Sequence, residues 1–189
     1  MKIFFSASIH VGVDKKIYER IVKVLEDLGH KVIYDHVLVS TKDKIDALTT
    51  KERMDYHRKM SKTIAGCDMV VCEASFPSTI SIGHEITLAL DKGKPVVTLY
   101  QKGKEPGVLQ GIKSDRFIMI EYSENDLKDS IEYGVDEASE KIDVRFNFFI
   151  SPKINRFLDV IAKDKRIPRA VYLRRLIEKD MKKNKDYEG

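Results

Sequence analysis

The segment from Cys67 to Tyr100 carries the side chains with the clearest chemical potential. An apolar run is followed there by Pro77-Ser78, and Gly83 stands two residues before Glu85. Glycine lets a backbone approach a ligand closely. A carboxylate near such a position can act as a nucleophile. Glu85 is therefore a candidate catalytic carboxylate beside a glycine that leaves room for a ligand.

The local pattern also predicts the electrostatic setting of Glu85. A helix is expected over residues 82–90, which places Glu85 in its first turn, where the positive end of the helix dipole favours an ionised carboxylate. An acidic residue in a first turn is also commonly just a favourable surface charge. On this segment alone both interpretations stay open.

Serines in two loops form a second group of candidates. We expect their hydroxyls, together with backbone amides near two glycines, to hold a 5′-phosphate at helix N-termini. A single loop serine more commonly satisfies a nearby backbone group, so the prediction depends on the cluster. The candidate binding residues are Ser6, Ser8, Gly12, Ser78, Ser81 and Gly83.

The elements that must position these residues alternate along the chain. Apolar runs predict strands over residues 2–5, 31–34, 68–73, 95–100 and 117–120. Helical spacing predicts helices between and after them, over about 17–28, 51–65, 82–90 and 124–141. This order predicts an α/β fold, a Rossmann-like (flavodoxin-like) parallel sheet with helices on both faces. Both serine loops then lie at the carboxyl edge of the sheet, where ligands bind.

Three segments together resemble one enzyme family. They are KIFFSASIHVGVDKKIYERIV from Lys2, CDMVVCEASFPSTISIGHEITLALDKGKPVVTLY from Cys67 and SDRFIMIEY from Ser114. Over residues 2–122 the chain resembles the nucleoside 2-deoxyribosyltransferases and the 2′-deoxynucleoside 5′-phosphate N-hydrolases. The resemblance implies cleavage of an N-glycosidic bond with Glu85 as nucleophile, serines at positions 8 and 78 as ligand contacts, and neither cofactor nor metal.

Other positions make the resemblance incomplete. His10 and His84 stand where the hydrolases often carry an arginine and a tyrosine, so each is a candidate contact for phosphate or base, or else merely solvated. Phe4 and Met60 replace a tyrosine and an aspartate that assist catalysis in those hydrolases. The substitute acids would be Asp35, His57, Asp68 and His84. These departures leave a second hypothesis, a nucleotide-binding sensor or DNA-binding regulator that has lost catalysis.

Composition limits the class of protein. The 189 residues are 42% hydrophobic and 34% charged, which is ordinary for a folded, water-soluble chain. No apolar run approaches the ~20 residues that cross a bilayer, and none resembles a signal peptide. Cys67 and Cys72 lack a metal-binding spacing and suit a reducing compartment. We therefore expect a cytoplasmic protein without a membrane partner.

The chain changes character after about residue 142, which predicts two domains, 1–142 and 143–189. Residues 144–151, VRFNFFIS, predict a strand, and two short amphipathic helices follow after Pro152 and after Pro168. This strand-helix-helix unit resembles the ribbon-helix-helix family, whose members pair their strands across a dimer. So short a unit needs a partner to bury its apolar face, so we expect a homodimer or a higher homo-oligomer.

The last segment also has a basic charge excess, although the whole chain carries only +4. A cationic surface favours encounter with polyanions. In ribbon-helix-helix proteins the outward side chains of the paired strands read bases, and here these would be Arg145 and Asn147, whose donors suit guanine and adenine edges. Binding of nucleic acid and dimerisation alone both remain open for this segment.

Overall fold

The computed structural model describes residues 1–9, 15–142 and 148–184. The chain divides into two compact units, Met1–Asp143 and Val144–Gly189. None of the helices within the described residues is long and apolar enough to span a membrane.

A five-stranded parallel sheet forms the centre of the first unit. Its strands are β1 (Lys2–Ala7), β2 (Lys31–Ile33), β3 (Met69–Glu73), β4 (Val96–Gln101) and β5 (Phe117–Tyr122), in the order β2-β1-β3-β4-β5. The five strands predicted within residues 1–142 are all present, and the predicted α/β, flavodoxin-like class is confirmed. The order reverses between β1 and β3, which leaves a crevice beyond their carboxyl ends.

Helices cover both faces of this sheet. Their bounds are α1 (Lys15–Asp27), α2 (Asp35–Leu38), α3 (Lys42–Asp46), α4 (Thr50–Ala65), α5 (Ile80–Asp91) and α6 (Leu127–Ser139). One apolar cluster joins α1 and α6 to residues such as Phe5 and Val71. A second cluster joins α4 and α5 to residues such as Phe4 and Val70. Alternate residues of β1 and β3 thus point to opposite faces, as the strand period of two requires.

The structure differs from the predicted elements in two places near the site. The polar stretch between β2 and α4 contains two short helices, α2 and α3, where no element was predicted. Helix α5 begins at Ile80 rather than at residue 82, because Thr79 is already extended and serves as its N-cap residue. Helices of four and five residues are too short to show a helical period, which explains why α2 and α3 escaped prediction.

The second unit contains the two predicted helices, α7 (Pro152–Lys165) and α8 (Arg169–Met181). The Ser151 hydroxyl accepts from the Ile154 amide at 3.3 Å, and Arg166 ends α7 in the left-handed conformation with φ 52°. Residues 148–150 are irregular, which corrects the predicted strand at that end, because a strand forms only against a pairing partner. The rest of that strand, including Arg145 and Asn147, lies outside the described residues.

Candidate active site

A cleft lies at the carboxyl edge of the sheet, where β1 ends and α5 begins. It encloses about 210 Å³, and its walls include Ala7 from β1, Ser81 and Glu85 from α5, and Asp46 from α3. The two short helices before α4 therefore supply a wall that the sequence did not reveal. The cleft is at the point where the strand order reverses, the usual ligand site of this architecture.

Glu85 is the buried carboxylate of this cleft. Its residue is 6% exposed, and the Ser6 hydroxyl of β1 donates a hydrogen bond to its Oε2. Burial raises the pKa of Glu85 to about 7, and the hydrogen bond from Ser6 acts in the opposite direction. The carboxyl group is therefore poised between its two protonation states at neutral pH.

This setting corrects the predicted electrostatics of Glu85. Because α5 begins at Ile80, Glu85 is the sixth helical residue and stands in the second turn. The favourable effect of the helix dipole falls off within the first turn, so desolvation decides the pKa. The predicted position of Glu85 in the first turn is wrong, and so is the alternative of a simple surface charge, because Glu85 is buried.

Ser81 and Gly83 lie on α5 near Glu85. Ser81 is exposed and borders the cleft. A Cβ built on Gly83 would meet nothing within 4 Å, so no contact with the rest of the described chain requires glycine there. Glycine inside a helix costs roughly 0.5–1 kcal/mol relative to alanine. Gly83 is not among the residues that line the cleft, so its contact with a ligand stays a prediction.

The loops after β1 and β3 contain two buried hydroxyls, on Ser8 and Ser78. Neither Oγ atom has a hydrogen-bond partner among the described residues. Since β1 and β3 are adjacent and parallel, these loops lie side by side at the carboxyl edge. A buried polar group left unpaired costs about 1–3 kcal/mol, so both hydroxyls are available to a ligand. The predicted contacts His10 and Gly12 lie outside the described residues.

A second chamber of about 340 Å³ adjoins the cleft and shares two wall residues with it, His36 and Tyr56. The His36 ring stacks on Phe4, with ring centroids 4.4 Å apart and an angle of 16° between the planes. Burial lowers the pKa of His36 to about 4, against the opposing charge of Asp35, so the ring is neutral. Its Nε2 is buried without a partner among the described residues.

Tyr56 stands on α4 at the boundary between the two chambers. Burial raises the pKa of its hydroxyl, and the charge of Glu85 raises it further. Phe4 and Met60, the two positions where catalytic groups were expected, line the second chamber as apolar wall. No pattern in the sequence points to His36 or Tyr56, because their roles arise only when α2 and α4 pack beside β1.

The remaining candidates are placed elsewhere or differently. The Nε2 atoms of His84 and His57 lie 3.0 Å apart on exposed helix surface, and neither residue lines either chamber. The ligand contact of His84 therefore stays a prediction. Asp68 accepts a hydrogen bond from the Lys2 amide at 2.7 Å at the opposite edge of the sheet, and so it is structural. Asp35 lines the second chamber. Within the described residues no cluster of three or more His, Cys, Asp or Glu side chains is arranged to hold a metal ion.

Solved structures share this architecture. The chain is similar to the 2-deoxyribosyltransferase of the psychrotolerant bacterium Bacillus psychrosaccharolyticus, with a TM-score of 0.52 and 17% identity over 68% of this chain and 90% of that chain. It is also similar to a CMP N-glycosidase of Clostridium botulinum, with a TM-score of 0.47 and 17% identity over 72% of this chain and 99% of that chain. No protein-family model and no curated protein sequence matches the chain. At this identity the likeness establishes the fold.

Proposed function

We propose that the first unit cleaves the N-glycosidic bond of a nucleoside or nucleoside 5′-monophosphate, with Glu85 as the nucleophile. The observation that carries this proposal is the buried carboxyl of Glu85, which borders the cleft at the switch point of the sheet and accepts a hydrogen bond from Ser6. A fold relative described as a 2-deoxyribosyltransferase supports the same class of reaction.

The chemistry follows in two steps. The Glu85 carboxylate forms a bond to the anomeric carbon as the carbon–nitrogen bond breaks, and the base leaves with the electron pair of that bond. Water then releases the sugar, or a second base takes it. Asp46 is an exposed carboxylate on the wall of the same cleft, and it is suited to accept the proton of the attacking water.

The parts of a nucleotide fit different parts of the site. The sugar lies at Glu85, next to Ser81 on the wall of the cleft. The base enters the adjoining chamber, where the neutral His36 ring offers an unpartnered nitrogen. A 5′-phosphate lies near the first amides of α5 and near the hydroxyls of Ser8 and Ser78, which have no hydrogen-bond partner in the part of the chain that the structure describes. We therefore propose a phosphorylated ligand in preference to the nucleoside.

Product analysis tests this proposal directly. The protein is incubated with each deoxynucleoside and with its 5′-monophosphate, with and without a second free base, and the released and exchanged bases are measured. We expect free base or base exchange, with the monophosphate bound more tightly than the nucleoside. Binding of a nucleotide without any base release would contradict catalysis and favour the alternative, a nucleotide sensor, for which Phe4 and Met60 are the arguments.

The second unit has a separate proposed role in assembly. Apolar side chains remain exposed along both helices: Phe157 is 52%, Val160 64% and Ile177 60% exposed. Only Leu158 of α7 is buried, and no residue of α8 is. A unit this small does not bury enough apolar surface alone. We propose that residues 144–189 pair with a second copy, as the ribbon-helix-helix resemblance implies.

Light scattering of the full chain and of a chain ending at residue 142 tests this role. We expect a smaller subunit count for the shortened protein. The same count for both would remove assembly from the second unit. DNA binding through Arg145 and Asn147 is the alternative role, tested by titrating the full and the shortened chain with duplex DNA at two salt concentrations. Both cysteines are free and buried, which fits the cytoplasmic location that we propose.

A further inference from the structure

A second buried carboxyl group lies on the face of the sheet opposite Glu85. Glu73 is the last residue of β3 and is 4% exposed. Val71, two residues earlier, belongs to the apolar cluster of α1 and α6, so Glu73 points to the same face. The proposed reaction does not use this group, and its burial needs a reason.

Two hydroxyl groups hold the carboxyl of Glu73. The Ser75 hydroxyl donates to its Oε1, and the Tyr122 hydroxyl of β5 donates to the same oxygen at 3.1 Å. The Ser75 hydroxyl in turn accepts a hydrogen bond from the backbone amide of Gln101 in β4 at 2.8 Å. These hydrogen bonds of Glu73 and Ser75 connect the start of the loop that carries Ser78 to the ends of β3, β4 and β5.

The neighbouring loop is anchored close by. The Tyr18 hydroxyl of α1 donates to the Ser8 carbonyl oxygen at 3.0 Å. Glu73 is the register partner of Ala7, the residue that precedes Ser8, so its carboxyl group lies at the strand end from which this loop starts. The loops of Ser8 and Ser78, which hold the two unpartnered hydroxyls, are therefore fixed from the same buried cluster.

We propose that Glu73 is a positioning residue that fixes the loops of Ser8 and Ser78, and so sets the preference of the site for a 5′-phosphorylated ligand. This inference rests on the proposed function. Glu73 touches no ligand itself. It acts on the loop of Ser78 through the hydrogen bond from Ser75, and on the loop of Ser8 from its place near Tyr18, which holds that loop. Its removal therefore loosens the phosphate contacts and leaves those of the sugar and base in place.

The test uses the full chain with Glu73→Ala and Glu73→Gln. Val135→Ala is the matched control, because Val135 is 2% exposed on α6 at the same face and has no side-chain hydrogen bond. Hydrogen exchange of residues 8–9 and 74–79 is measured without ligand. Calorimetry then gives the dissociation constants of a deoxynucleoside and its 5′-monophosphate for each variant.

We expect Glu73→Ala to speed exchange in both loops well beyond the control and to lower the monophosphate-to-nucleoside affinity ratio about tenfold. Glu73→Gln should lie between, because its amide oxygen still accepts from both hydroxyls. Loops that exchange no faster than in Val135→Ala, or an unchanged ratio, would overturn the inference. Equal affinity of the unaltered protein for both ligands would overturn its phosphate part. Absence of base release from a protein that still prefers the monophosphate would instead reject only the proposed reaction.

Discussion

The two faces of the sheet each bury one glutamate at the carboxyl edge, and the two differ in what surrounds them. Glu73 is 4% exposed beneath α1 and α6, and one of its carboxyl oxygens accepts hydrogen bonds from two hydroxyl groups. Glu85 is 6% exposed, accepts from Ser6 and borders an open cleft. Burial raises the pKa of both carboxyl groups. Burial alone therefore does not mark the catalytic carboxylate, whereas burial beside a ligand-sized cleft does.

The strongest test of this comparison exchanges each glutamate for its amide. Glu85→Gln keeps the shape and removes the charge needed at the anomeric carbon, so we expect base release to fall by at least about 10³-fold while ligand binding persists. Glu73→Gln should leave the rate with a nucleoside substrate within about threefold, because its effect is on the phosphate contacts. Initial rates of base release with a nucleoside and its monophosphate decide this. Comparable losses from the two substitutions would erase the functional distinction between the faces.

A second prediction concerns Asp46, the exposed carboxylate on the wall of the cleft. If Asp46 accepts the proton of the attacking water, Asp46→Asn slows the second step by about 10²-fold and leaves the first step intact. Rapid mixing should then show a burst of base equal to the enzyme concentration, followed by slow turnover. Asp43→Asn on the same helix is the control, since Asp43 does not line the cleft. Loss of the burst together with turnover would show that Asp46 does not act in the second step.

The strands of the sheet could be predicted from the sequence because they are continuous apolar, β-branched runs, such as MVVC in β3. Glu85 was recognised from an ordered pattern, but its burial was not predicted, and burial rather than the helix dipole determines its pKa. His36, Tyr56 and Asp46 were missed because they come together only when α2, α3 and α4 pack beside β1. Such contacts are set by tertiary packing and leave no periodic signal in short polar segments.

The dependence of stability on pH tests the burial of Glu85 independently of catalysis. A carboxyl whose pKa is raised in the folded state binds its proton more tightly than in the unfolded state, so stability falls as pH rises from about 4.5 to about 7 and then levels off. For Glu85 this loss is about 3 kcal/mol. Glu85→Gln should remove it, so the variant gains about that much over the unaltered protein at pH 8 relative to pH 4. Urea unfolding across this range measures the difference, and parallel curves for the two proteins would contradict the raised pKa.

The smallest expected effect concerns the Ser6 hydroxyl, which donates a hydrogen bond to Glu85. The nucleophile must be ionised, so kcat/KM should rise tenfold per pH unit below about 7 and level off above it. Ser6 donates to the ionised carboxylate and thereby lowers its pKa, against the larger effect of burial.

Removing that donor with Ser6→Ala should therefore raise the pKa of Glu85 and move the acidic limb of the profile about one pH unit higher, with the plateau retained. Thr98→Val is the matched control, because Thr98 lies in the same row across the sheet and its buried hydroxyl has no partner among the described residues. Its profile should coincide with that of the unaltered protein. An acidic limb that stays in place in Ser6→Ala would mean that this hydrogen bond does not stabilise the charge. The chemical difference between the two faces would then reduce to the presence of the cleft.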